Sequence, residues 1–145
     1  MPKASVTRLI ERDKKTLVNF VLDIEKYPEF IPFCYNAKIY KKDDAENSTK
    51  IIADLTIGKG PFKDTYKSDV LYNKQENTIS VKNIDGPLNH LSNKWSFIEQ
   101  NNQTEVIFDI DFEIKNTFLN TVMEASFQFG IEKIADAFQK RAESL

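Results

Sequence analysis

Apolar positions along the chain follow two regimes, alternating through most of residues 6–114 and recurring every three or four residues through 116–145. In the second stretch Leu119, Met123, Phe127, Ile131, Ile134, Phe138, Ala142 and Leu145 make one continuous helical face, uninterrupted by proline. Phe118, Val122, Ala125 and Phe129 widen that face beyond the usual stripe, which predicts a helix covering more than one edge of a sheet.

Upstream, residues 6–11 alternate weakly and predict a first strand. Asp13 then supplies a carboxylate able to accept an otherwise unpaired N–H, ahead of Leu17, Phe20, Val21 and Ile24 at helical spacing. Tyr27-Pro28-Glu29-Phe30-Ile31-Pro32-Phe33-Cys34 follows, where two prolines bracket an aromatic segment and forbid a long regular helix. Two readings stand: a hydrophobic plug closing one end of the core, or the lip of a ligand cavity. Loop aromatics are more often packing, which favours the plug.

Residues 37–42 predict a short second strand, and the polar run 43–48 a hairpin turn. Ile51, Ala53, Leu55 and Ile57 share a parity, Gly58-Lys59-Gly60-Pro61 breaks it, and Phe62, Tyr66, Ser68, Val70 and Tyr72 carry a fourth strand. Beyond the turn at 73–77, Ile79 and Val81 alternate up to Asp85-Gly86-Pro87, and Leu91, Trp95 and Phe97 share the next parity. The last strand is the clearest, with Val106, Phe108, Ile110, Phe112 and Ile114 opposed to Ile107, Asp109, Asp111 and Glu113. About seven strands joined by tight turns, two short helical pieces after the first strand and one long terminal helix predict a curved antiparallel sheet in a single α+β domain spanning 1–145.

At 145 residues the chain is long enough to bury about 70% of the surface its unfolded form exposes. One cysteine, Cys34, and one histidine, His90, exclude disulfide frameworks and multi-ligand Cys/His metal sites, and fit a reducing cytoplasm. No apolar run approaches the roughly 20 residues of a membrane span, so neither a signal peptide nor a transmembrane segment is expected. A net charge of -2, from 20 basic and 22 acidic residues, lacks the basic excess that drives nonspecific phosphate binding and argues against a DNA partner.

Catalytic chemistry is sparse. His90 has no nucleophile motif beside it, and Asp109, Asp111 and Glu113 fall on the outward parity, where carboxylates are solvated rather than poised for acid/base work. The Gly58–Pro61 turn is too short for a phosphate-binding loop and opens no helix. Lys59, Lys63 and Lys67 read as a solvated strand face. What remains is apolar surplus: 12% of residues are aromatic, 11 of them Phe. Such an interior either packs completely, the commoner outcome, or leaves a cavity for an apolar ligand.

The segment Tyr27–Cys34 resembles the signature of the coenzyme Q-binding branch of the START-like (polyketide cyclase/dehydrase) superfamily. Gly86-Pro87-Leu88-Asn89-His90-Leu91 with Trp95-Ser96-Phe97 is similar to that branch's Gly-Pro-Phe strand entry and its Trp-x-Phe. Residues 111–116 and Ala137-Phe138-Gln139-Lys140-Arg141-Ala142 are similar to its last strand and helix ending. Two positions depart from it: Phe33 stands where the branch usually has Trp, and Leu88 where it usually has Phe.

The resemblance implies a helix-grip fold, a seven-stranded antiparallel sheet around the terminal helix with an apolar cavity between them. It also implies non-catalytic binding of ubiquinone or a related polyprenyl lipid by a chaperone that supports respiratory electron transport. Phe30, Phe33, Leu91, Trp95, Phe108, Phe112, Met123, Phe127 and Ile131 are the residues expected to line the cavity, with Tyr66, Ser68 or the Trp95 indole bonding a quinone head. No cofactor or metal beyond that lipid is expected. Relatives in this branch include bacterial ribosome-association toxins that block subunit joining, which makes the large ribosomal subunit the alternative partner. A cyclase or hydrolase of the wider superfamily is a third reading, and would need polar catalytic groups in the cavity. The expected setting is the bacterial cytoplasm, with transient contact at the inner membrane through residues 27–33. Gly130 interrupts the helix at a cost of about 1 kcal/mol against alanine, either to admit a close neighbour or as a tolerated glycine on a less buried face.

Overall fold

A computed structural model of the chain describes residues 3–58, 63–86 and 88–145, with the side chains at 85, 88, 114, 119 and 122–126 outside that description. The expectations placed on Lys59, Gly60, Pro61, Phe62 and Pro87, and on the side chains of Leu88, Ile114, Leu119, Val122, Met123 and Ala125, therefore lie outside the described residues. The elements run β1 (Lys3–Ile10), α1 (Lys14–Leu22), a 3-10 helix (Ile24–Glu29), β2 (Cys34–Asp44), β3 (Ser48–Ile57), β4 (Asp64–Asn73), β5 (Thr78–Asp85), β6 (Leu88–Gln100), β7 (Gln103–Ile114) and α2 (Thr117–Glu143).

The strands form one antiparallel sheet ordered β1-β7-β6-β5-β4-β3-β2. Parity settles its faces. Ile51 and Ala53 on β3, Val70 on β4, Ile79 and Val81 on β5, Leu91 and Phe97 on β6, and Val106 and Phe112 on β7 are all buried on the side that receives α2. Strand β2 exceeds the expected 37–42 because two register shifts, between Cys34 and Asn36 and between Ile39 and Lys41, break its alternation. A bulge inserts a residue and so hides a period of two from a reader of the sequence.

Local chemistry explains the start of α1 and the setting of two strand lysines. The Asp13 carboxylate accepts the Thr16 N–H at 3.2 Å and the Thr16 hydroxyl at 2.6 Å, capping α1 as its spacing predicts. Lys63 Nζ lies 3.9 Å from the Tyr35 ring centroid and Lys67 Nζ 5.0 Å from that of Tyr40, so these lysines sit over outward tyrosines of β2.

Helix α2 corrects the expectation drawn from its wide apolar face. Phe127, Ile131, Phe138 and Ala142 are buried, whereas Phe118 is 72% and Phe129 63% exposed. The extra width covers no second edge of the sheet, because the two phenylalanines point out on the far side of the helix. One flank meets the edge strand, where Gln128 Nε2 donates to the Ser5 carbonyl and Gln139 Nε2 to that of Leu9. The other carries Arg141, bonded at 2.8 Å to Glu29 at the end of the 3-10 helix.

Gly130 lies toward that second flank by helical spacing, and a Cβ built there meets no atom within 4 Å. Among the described residues it admits no close protein neighbour. Gly130→Ala is therefore expected to stabilise the fold by about 1 kcal/mol through helix propensity alone, measured as a higher urea midpoint; a lower midpoint would show that the space is needed.

Candidate functional site

The aromatic side chains gather where α2 crosses the sheet. Trp95 on β6 lies 4.5 Å from Phe108 on β7 and 5.0 Å from Phe138 on α2, centroid to centroid. Phe138 also meets Phe20, Tyr27 and Phe30, at 5.6, 5.5 and 5.3 Å. Further along the helix Phe127 packs on Phe112 at 4.6 Å. These contacts bring together Phe30, Trp95, Phe108, Phe112 and Phe127 of the expected lining, with Leu91 and Ile131 buried in the same core.

Phe33 stands apart. It is 41% exposed and its backbone is left-handed, at φ 67. That conformation is rare for a non-glycine residue, and it turns the chain from the proline segment into β2. The plug reading holds for part of the segment. Tyr27 and Phe30 plug the core, with the Tyr27 hydroxyl donating to the Val21 carbonyl, and Phe33 lies at the surface.

Polar groups inside are few. Burial pushes the Cys34 thiol up to about 11 and raises the Tyr27 and Tyr66 hydroxyls well above their ordinary range, so all three stay protonated and neutral near pH 7. Ser68 donates its hydroxyl proton to the Ala53 carbonyl at 3.2 Å, so that proton is already engaged. His90 is on the outer face, 3.7 Å from Asp111, which also lies 3.8 Å from Lys3. Among the described residues no group of three His, Cys, Asp or Glu side chains is placed to hold a metal ion.

One inward polar side chain was missed by sequence reasoning. Asn93 shares the parity of Leu91, Trp95 and Phe97, and β6 has no register shift between Leu91 and Phe97. The signal was an amide at an inward position of an apolar alternation. Its Oδ1 is buried without a hydrogen-bond partner among the described residues.

The inner face is incompletely sealed. Leu55, Asn93, Trp95, Phe108 and Ile110 all point inward yet retain partial exposure, where a fully packed core would close over them. A separate depression of about 510 Å³ crosses β1, β7 and β6, and most of its lining, Lys3, Ser5, Ser92, Lys94, Asp109 and Asp111, is at outward parity.

Residues 10–139 match the family model described as polyketide cyclase / dehydrase and lipid transport. The chain belongs to that family. Two relatives are similar over nearly all of this chain. The chain is 31% identical over 142 residues to the ribosome association toxin RatA of Rickettsia prowazekii, covering 96% of this chain and 94% of that protein. It is 33% identical over 147 residues to the mitochondrial coenzyme Q-binding protein COQ10 of Dictyostelium discoideum, covering 97% of this chain and 70% of that one. Among solved structures, an 18 kDa Caulobacter crescentus protein superposes with a TM-score of 0.80 at 24% identity, covering 99% and 97% of the two chains. The START-like helix-grip architecture expected from the sequence is the one observed.

Proposed function

We propose that this chain binds ubiquinone or a related polyprenyl lipid between the concave face of its sheet and α2, without catalysing a reaction on it, and serves as a lipid chaperone for respiratory electron transport. The observation that carries this reading is the set of inward aromatics left partly exposed, Trp95 and Phe108 foremost. Covering them with isoprene units gains roughly 25 cal/mol for each Å² of apolar surface removed from water. The similarity to a coenzyme Q-binding protein supports the same ligand class. Neutral tyrosine hydroxyls and a protonated thiol suit an uncharged lipid better than an anionic substrate.

Delivery of such a lipid requires a bilayer. Antiparallel order places the start of β2, the ends of β3 and β5, and the start of α2 at one end of the sheet, where Phe33, Ile57, Ile84 and Phe118 are exposed. This end is the proposed site of transient membrane contact. No helix among the described residues is long and apolar enough to cross a membrane.

Protein purified under gentle conditions from a quinone-containing host is expected to carry quinone or another polyprenyl lipid, identified by mass spectrometry of its extract. An extract holding neither would remove this reading. A second reading is favoured by the RatA similarity, which extends over 94% of that protein: binding to the large ribosomal subunit. Cosedimentation with large subunits that weakens as salt rises would support it, and free protein at low salt would end it.

A further inference from the structure

The sheet register places Asn93 in the middle of a row that runs across the inner face. Ala4 pairs with Ile110, Ile110 with Asn93, Asn93 with Val81, Val81 with Val70, and Val70 with Ile51. Every other member of the row is apolar. Along β6 its neighbours of the same parity are Leu91 and Trp95, and Trp95 is the only tryptophan in the chain.

An amide at such a position is costly. Its buried Oδ1 has lost water and gained no protein donor, and an unpaired buried acceptor destabilises a fold where leucine of similar shape would not. Two other inward polar groups nearby are engaged: Ser68 donates to the Ala53 carbonyl, and the Asn83 Oδ1 accepts the Leu91 N–H at 2.8 Å. Asn93 and its neighbour Trp95 both keep partial exposure, so neither is fully enclosed by packed side chains.

We infer that Asn93 is the group that recognises the oxygenated head of an isoprenoid ligand, while the surrounding apolar side chains hold its tail. The inference rests on the lipid-binding reading and goes beyond it by assigning specificity to one side chain. The amide suits both oxidation states of a quinone head. Its Oδ1 accepts from a quinol hydroxyl, and with the amide turned over its Nδ2 donates to a quinone carbonyl. A hydrocarbon tail without a head leaves it unpaired.

The test presents the protein with an equimolar, detergent-dispersed mixture of a ubiquinone bearing two isoprene units and an isoprenoid hydrocarbon of the same tail length, and reads the bound ratio by mass spectrometry. Wild-type protein is expected to favour the quinone. Asn93→Leu is expected to shift that ratio about 5- to 30-fold toward the hydrocarbon, the worth of one buried hydrogen bond, with thermal stability equal to wild type or higher. An unchanged ratio overturns the assignment, including the case in which both ligands are lost together. Wild-type protein that takes up neither ligand overturns the lipid-binding reading and this assignment with it. A readout independent of how the variant folds comes from wild-type protein alone: the Asn93 side-chain amide protons should shift in NMR spectra with the quinone and stay in place with the hydrocarbon. Protons unmoved by the quinone would overturn the role.

Discussion

Phe138→Ala is expected to lower stability by about 3–5 kcal/mol, the range for removing a buried aromatic ring. The ring is buried on α2 and meets Phe20 of α1, Tyr27 of the 3-10 helix, Phe30 just beyond it and Trp95 of β6. Four separate segments converge on it, so the cavity left behind cannot close by the movement of one. Urea denaturation measures the loss, with Phe129→Ala as the control: that ring is 63% exposed and its removal should change stability by about 0.5 kcal/mol or less. A loss at Phe138 no larger than at Phe129 would show that the aromatic cluster does not tie the helix to the sheet.

Gly86→Ala should cost about 2–5 kcal/mol, with two causes acting together. The residue has φ +132, a backbone region that L side chains rarely adopt, and a Cβ there would stand 2.8 Å from both Cα and Cβ of Tyr66 and 3.1 Å from the Thr65 carbonyl. Neither neighbour is the free end of a flexible chain, so relief requires moving β4 or the end of β5. Since Tyr66 belongs to the core, the strain reaches the inner face. A variant as stable as wild type in urea would refute this account of the Gly86 turn. The contrast with Gly130, where a methyl group meets open space, makes the pair of alanine variants opposite in sign.

Strand parity was legible wherever alternation ran unbroken. Strand β7 was read correctly because one face is apolar from Val106 to Phe112 and the other carries Asp109 and Asp111. The Asp13 cap was legible because capping is local, resting on a carboxylate three residues from its donor. Other features needed distance information that a linear pattern lacks. Helical spacing grouped Phe118 and Phe129 with the apolar surface, but only the position of the sheet decides that they face away from it. Phe33 belonged to an aromatic segment in sequence, and its left-handed backbone separates it from Phe30 in space.

Asn93 illustrates the same limit at the site. Its inward parity was readable beside Leu91 and Trp95, yet its isolation follows from pairings linking six strands, from Ala4 on β1 to Ile51 on β3. The head-bonding role expected for Ser68 meets a hydroxyl already donated to a backbone carbonyl, and among the described residues the Asn93 Oδ1 is buried without a partner, as is the Oδ1 of Asp111 on the outward parity.

Trp95 allows the most direct measurement of ligand binding at the inner face, because it is the only tryptophan and packs between Phe108 and Phe138. A quinone in contact with an indole quenches its emission. Titration with a short-tailed ubiquinone should quench Trp95 saturably, at about one quinone per chain as expected for a single pocket. Emission that falls only in proportion to free quinone, without saturation, would contradict binding between the sheet and α2.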